Sequence, residues 1–232
     1  MSQPTAIITG AGGGIGRAAA IELSRRGYRL ALCGRNAGSL KETASACGGL
    51  VVTGDVTVAA DMNRLVEKTV GEFGRLDAVV NNAGLAPSCN FELMSDEQWH
   101  AVIDTNLSAA FYVARAAWPI FRRQKSGAVV NISSIAARDP FPGFAAYGAA
   151  KAGLNGLSLS MAREGKKIGV RVHTIAPGAV ETGMLRGLFS HQQVPPSTVM
   201  EPGDVAKVIA QCVAGDLQFT SDEVIWLHRT VE

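Results

Sequence analysis

The chain has 232 residues, 47% hydrophobic and 18% charged, with 22 basic and 20 acidic residues and a formal net charge of +2. No dense basic run or acidic tail stands out, which argues against a nucleic-acid binder, and no apolar stretch reaches the ~20 residues that span a bilayer. The four cysteines (Cys33, Cys47, Cys89, Cys212) form no CxxC pair, and the four histidines show no metal-ligand spacing. Scattered thiols of this kind read as small buried residues of a reducing compartment, so neither disulfide nor metal is expected. Nothing at the N-terminus reads as a signal peptide, and the expected location is the cytoplasm.

In chain order, short β-rich apolar runs alternate with longer helical patterns. The periodicity predicts strands at Thr5–Thr9, Arg29–Cys33, Leu50–Thr53, Ala78–Asn81, Ala128–Ile132, Val170–Ile175 and Val224–Leu227. Helices are predicted at about Ile15–Arg26, Ala37–Ala46, Ala59–Phe73, Asp96–Arg122, Ala145–Lys166 and Pro202–Ala214. This alternation is the signature of an α/β fold, a doubly wound parallel sheet of Rossmann-like type, and no linker or repeat divides the 1–232 span into more than one domain. Two Pro-containing segments break the rhythm, Arg138–Gly143 and Gly178–Gly203. Both follow strands and emerge at the carboxyl edge of the sheet, where ligands bind in this architecture.

The first strand runs directly into Gly10-Ala11-Gly12-Gly13-Gly14-Ile15-Gly16 and then a helix. Glycines let the backbone approach a pyrophosphate, and the helix start turns its unpaired N–H groups and positive dipole end toward that anion. Alone, such a turn is equally a flexible loop. About 20 residues further on, where an acidic residue would bind the ribose of NAD, stand Gly34 and Arg35. A guanidinium there suits the 2′-phosphate of NADP, although it also reads as a plain exposed loop arginine.

Tyr147-Gly148-Ala149-Ala150-Lys151 opens the helix after the fifth strand, and residues four apart share a helical face. A phenol has a pKa near ~10, and a neighbouring ammonium is expected to lower it into a useful range for acid–base exchange. By itself the pair equally describes an amphipathic helix with a surface lysine. Ser134 stands thirteen residues ahead of Tyr147, while Ser133 falls on the opposite face of the strand by period-2 alternation and reads as structural.

Taken together these motifs resemble the short-chain dehydrogenase/reductase family: Thr9-Gly10-(three residues)-Gly14-Ile15-Gly16, Asp55-Val56 after the third strand, Asn81-Asn82-Ala83-Gly84 after the fourth, Asn106, Ser134, and Tyr147 with Lys151. The resemblance runs from Thr5 to about Asp204. It implies a catalytic tetrad of Asn106, Ser134, Tyr147 and Lys151. Tyr147 would be the acid/base, Ser134 would hold the substrate oxygen, Lys151 would orient the cofactor ribose and tune the phenol, and Asn106 would bend its helix and link lysine to solvent through a water. It also implies cofactor contacts at Gly10, Gly12, Gly13, Ile15, Arg35, Asn36, Asp55, Val56, Asn82, Ala83, Gly84, Thr105, Ile132, Tyr147, Lys151, Pro177, Gly178, Val180 and Thr182. The expected cofactor is NADP, with NAD possible.

Two features depart from the pattern. The substrate segment, about 183–203, is short and apolar at Met184, Leu185, Leu188 and Phe189, which suggests a compact site for a hydrophobic or modest-sized carbonyl compound. The end Asp222–Glu232 lacks the Gly-Gly of many relatives, which leaves open the contacts that this end makes between subunits. The expected partners are a small carbonyl or alcohol substrate and further copies of the chain, as a homodimer or homotetramer. Small residues (Ala109, Ala110, Ala114, Ala116, Ala149, Ala150, Gly153, Gly156) would let helices pair across subunits. Neither nucleic acid nor membrane is expected. The alternative reading is a non-catalytic nucleotide sensor on the same fold, since fold does not fix function. Epimerisation or dehydration would call for a larger substrate domain than the remaining length allows.

Overall fold

Runs of four to eight mostly apolar residues, with β-branched ones in all but the second, form seven strands: β1 (Thr5–Thr9), β2 (Arg29–Gly34), β3 (Leu50–Thr53), β4 (Ala78–Asn81), β5 (Gly127–Ile132), β6 (Val170–Pro177) and β7 (Val224–Leu227). In the computed structural model, which describes residues 3–229, all pair in parallel in the order β3-β2-β1-β4-β5-β6-β7. Expectations that touch residues 1–2 or 230–232 lie outside the described residues. β1, β4 and β5 are buried along their whole length, as strands covered by helices on both faces must be.

Alternation along each strand divides the core in two. Ala6, Ile8, Leu32, Val130 and Ile175 pack under helices α1 (Gly14–Arg25) and α8 (Pro202–Ala214). Ile7, Ala31, Val79, Val129 and Val172 face the other way, toward α3 (Ala59–Phe73), α5 (Ala109–Gln124) and α6 (Ala145–Gly165). The remaining helices are α2 (Ala37–Cys47), α4 (Asp96–Ile103) and α7 (Gly183–Leu188). From β1 the chain winds outward through β2 and β3, then returns to β4 on the other side of β1. That reversal opens a crevice at the carboxyl ends of β1 and β4, the switch point where ligands bind in such sheets.

Two expectations are corrected. The continuous helix predicted over 96–122 is α4 and α5 joined by a π-helical turn, Asp104–Ser108. Insertion of one residue into the helical ladder is typical of a functional position, and the reason here is the side chain of Asn106, described below. The irregular segment predicted over 178–203 contains α7, whose start is capped by Thr182 Oγ1 accepting from Leu185 N at 3.2 Å. Among the described residues, no helix is long and apolar enough to cross a membrane, and no group of three or more potential metal ligands is found.

Candidate active site

The glycine turn sits at the carboxyl end of β1 and is braced on one side by the loop that follows β4. Thr9 Oγ1 accepts from Asn82 N at 3.0 Å and Ala83 N at 3.1 Å, while Asn82 Nδ2 donates to Thr9 O (3.0 Å) and Gly10 O (3.2 Å). Gly10 has φ +63°, and a side chain on it would meet Ala83 Cα at 2.9 Å. A Cβ on Gly16 would overlap Gly10 O, so α1 comes onto the turn with no space to spare. Gly13 is different: a Cβ there would touch nothing within 4 Å. It is exposed, it precedes the first turn of α1, and the open side of the turn lies there. This is a cradle shaped for an anionic group, and the residues present fit the pyrophosphate of a dinucleotide.

At the end of β2, Arg35 and Asn36 are exposed. Asn36 Oδ1 caps α2 by accepting from Ser39 N at 3.0 Å, so its side-chain oxygen is already engaged. Asp55, after β3, accepts from Thr57 N (2.9 Å) and Thr57 Oγ1 (2.8 Å) through Oδ1. Those bonds, and then the Arg35 cation, hold its carboxyl below the usual range, so it is an ionised acceptor. Val56 is buried in the core, so only its backbone is available to a ligand.

The four tetrad positions come together at the same edge. Ser134 follows β5 and caps the short 3₁₀ turn Ile135–Ala137 by accepting from Ala136 N at 3.2 Å, and its hydroxyl is close enough to the Tyr147 phenol to draw its pKa down. Lys151, 3% exposed, lies one turn along α6 with Nζ 5.5 Å from the centre of the Tyr147 ring, and it donates to Ile132 O at 2.8 Å. Asn106, in the π turn, donates from Nδ2 to Leu85 O (2.7 Å) and Val102 O (2.9 Å), while Oδ1 accepts from Leu85 N at 3.3 Å. Its amide thus ties the helix to the loop after Gly84 and stands where the α ladder is interrupted. Ser133 is structural, as expected: its Oγ donates to Lys151 O at 3.3 Å and its N–H to Ile175 O at 2.7 Å.

The electrostatics correct one expectation. Burial pushes the Tyr147 phenol above 10.0, and the opposing pull comes from the Ser134 hydroxyl rather than from the lysine. The reason is that Lys151 is buried too: desolvation lowers its amine from 10.5 to about 7, and its Nζ is turned to the Ile132 carbonyl. Beneath the pair is a cavity of about 10 Å³, the room of roughly one water, lined among others by Thr9, Asn81, Thr105, Asn106, Ile132 and Lys151. Asn81 Oδ1 is buried there without a hydrogen-bond partner among the described residues, the kind of group that an ordered water satisfies.

From β6, Pro177 and Gly178 lead away, with Gly178 N donating to Leu227 O at 2.7 Å, and Val180 forms a bridge to Met200. Thr182 is brought back to the glycine turn, where its methyl would lie 3.0 Å from a Cβ on Gly14. The next segment is held by a residue that the sequence reading missed. Arg186 pairs with Glu181 (Nε–Oε1 2.7 Å) and donates to Val194 O at 2.8 Å. No spacing signal announces that clamp. Phe189 packs near Phe144, with ring centres 6.3 Å apart.

Residues 4–193 match the family model described as short chain dehydrogenase. An uncharacterized oxidoreductase of Staphylococcus epidermidis is 35% identical over 189 residues, 81% of this chain and 82% of that protein. The 3-oxoacyl-(acyl-carrier-protein) reductase FabG of Staphylococcus aureus is 32% identical over 239 residues, 97% of this chain and 96% of that one. Among solved structures, the 3-ketoacyl-(acyl-carrier-protein) reductase of Brucella melitensis complexed with NADH superposes with a TM-score of 0.93 at 25% identity, covering 98% of this chain and 97% of that one. A parallel sheet with its switch point at a glycine cradle, matched over most of its length by this model and these reductases, makes the chain an NAD(P)-dependent oxidoreductase of the short-chain dehydrogenase/reductase family.

Proposed function

We propose that the protein interconverts a carbonyl compound and its alcohol with NADP(H) as cofactor, Tyr147 serving as the acid/base. A bound nicotinamide would supply the hydride that adds to the carbonyl carbon in reduction. The carbonyl oxygen then takes its proton from the Tyr147 hydroxyl while accepting a bond from Ser134. The resulting phenolate is reprotonated from Lys151, whose amine, with a pKa near 7, gives up a proton readily at neutrality. Asn106, fixed by Leu85 and Val102, shapes the cavity through which a water could resupply that amine. The observation that carries this reading is the placement of Lys151 Nζ 5.5 Å from the centre of the Tyr147 ring, with Ser134 nearby, at the edge that also holds the glycine cradle.

The preference for NADP rests on Arg35, which is exposed beside Asp55 where no carboxylate precedes it on β2. The cofactor surface would comprise the backbone of Gly10, Gly12, Gly13 and Ile15, with Arg35, Asn36, Asp55, Val56, Asn82–Gly84, Thr105, Ile132, Pro177, Gly178, Val180 and Thr182 around it. The single domain would close over substrate with the segment 183–203, and apolar Met184, 44% exposed, favours a hydrophobic substrate. The free thiols suit the cytoplasm.

Self-assembly through α5 and α6 remains part of the reading, on a narrower surface than the sequence suggested. Ala109, Ala110, Ala114 and Ala150 are buried within the subunit, whereas Ala149, Gly156 and Phe111 face outward. Light scattering that found only monomer at micromolar concentration would remove it. The relatives favour catalysis over nucleotide sensing. For the chemistry, Tyr147→Phe is expected to lower NADPH-dependent turnover by about 10²-fold or more, with NADPH affinity largely kept. Retained turnover in a panel of ketones, aldehydes and sugars would overturn the assignment.

A further inference from the structure

We propose that Arg17, on the first helix and outside every contact assigned above, is a positioning residue that presets the phosphate-binding turn; this rests on the dinucleotide reading just given. Its guanidinium has four partners, the weakest of them Ser39 O at 3.5 Å from Nη2. Nη2 donates to Gly12 O at 2.8 Å and pairs with Glu42 Oε2 at 2.8 Å, while Nε donates to Thr43 Oγ1 at 3.0 Å. Thr43, fully buried on α2, in turn has its hydroxyl 2.9 Å from Ala11 O, its nearer acceptor, and 3.1 Å from Ser39 O. Two successive carbonyls of the turn are thereby pulled toward α2. A trans peptide is planar, with C=O and the following N–H pointing in opposite directions. Fixing Ala11 O therefore aims the Gly12 N–H away from α2, and fixing Gly12 O aims the Gly13 N–H the same way, toward the side that stands open at Gly13.

The neighbouring peptides are pinned by other partners. Gly10 O accepts from Asn82, Ala11 N donates to Cys33 O at 3.1 Å, and Gly13 O accepts from Arg17 N at 3.1 Å within the helix. Arg17 and Thr43 are thus what hold the two peptides whose N–H groups point outward. Without them, a run of three glycines would sample many orientations, and binding would have to order it. The fork matters as much as the charge, because an ammonium cannot reach Gly12 O and Thr43 Oγ1 in one fixed geometry. The exposed pairing with Glu42 is secondary.

The test is fluorescence titration with NADPH and with NADH of the wild type, Arg17→Met, Arg17→Lys and Thr43→Val, alongside thermal melting without cofactor. Both Arg17 variants are expected to bind each dinucleotide about tenfold more weakly, because the turn serves the shared pyrophosphate, and Thr43→Val several-fold more weakly. Unchanged Kd in Arg17→Met, rescue by Arg17→Lys, or loss confined to NADPH would each overturn the proposal. Lower melting temperatures with unaltered Kd would reduce the clamp to fold maintenance and overturn it too. A wild type that binds neither dinucleotide would overturn the proposed function and this inference with it, whereas a binding wild type with unaffected variants would sink the inference alone.

Discussion

Replacing Lys151 with Met should make the protein more stable near neutrality and less stable in alkali. The amine is 3% exposed, and burial lowers its pKa from 10.5 to about 7. Between those two values the unfolded chain holds a proton that the folded chain has released, so unfolding takes up a proton and wild-type stability rises with pH. Below about 7 the whole burden of a buried cation is present, on the order of 5 kcal/mol at 1.36 kcal/mol per pH unit; above 10.5 it is gone. Methionine matches the stem in length and carries no charge, but it leaves Ile132 O without the donor that now sits at 2.8 Å, at a cost of about 1–3 kcal/mol. The difference between variant and wild type is therefore expected to be about +2 to +4 kcal/mol at pH 7 and to change sign near pH 9. Urea denaturation of both proteins, without added dinucleotide, at several values from pH 6.5 to 10 would measure it. Other titrating groups cancel in the difference, and a difference independent of pH would refute the buried-amine account.

Arg35→Ser should weaken NADPH about tenfold or more and leave NADH nearly unchanged, since a lost guanidinium–phosphate pair affects only the dinucleotide that carries the 2′-phosphate; equal losses for both, measured as a ratio of Kd values, would reassign Arg35 to general electrostatics. Asn106→Ala removes the donor to Leu85 O and Val102 O, so a stability loss of about 1–3 kcal/mol is expected together with turnover reduced at least about tenfold. Circular dichroism melting and steady-state rates would check the pair, and full activity in a destabilised variant would confine Asn106 to shaping the helix.

The fold was legible because its signals are local and repeated. Seven strand positions follow from apolar runs, and the alternation of strand and helix leaves few topologies open. The turn from Thr9 to Gly16 announces itself through its glycines together with the strand before it and the helix after it. Other features hid because they depend on tertiary partners. The π turn at Asp104–Ser108 has no composition of its own: the resemblance implies only a bend at Asn106, and the bond from Asn106 to Leu85, twenty-one residues away, is tertiary. The phenol's upward displacement was missed for a related reason: helical spacing places Lys151 beside Tyr147 but says nothing about how much water either keeps. Nothing local in the sequence marks Arg17 or Arg186, since their acceptors are mainly backbone carbonyls or lie on other elements.

These hidden contacts share a design. Four polar side chains at the carboxyl edge are oriented by partners on other elements: Lys151 by the β5 carbonyl of Ile132, Asn106 by the loop after β4, Asn82 by the end of β1, Thr43 by the glycine turn itself. Groups held in this way need little reorganisation when charge develops next to them, which is where electrostatic catalysis gains most of its advantage. The segment from Gly183 onward is built differently. Its first part is tied down by Arg186 and by Phe189 against Phe144, with Met184 left exposed, while its far end is fixed by Met200 bonded to Ala179 and Glu181. If the proposed chemistry holds, a rigid wall at Lys151 and Asn106 facing the partly exposed apolar segment at Met184 would let the same proton transfer meet substrates of different shape. Sequence change that alters substrate choice is therefore expected to gather between Gly183 and Gly203, while the contacts around Lys151 and Asn106 tolerate little.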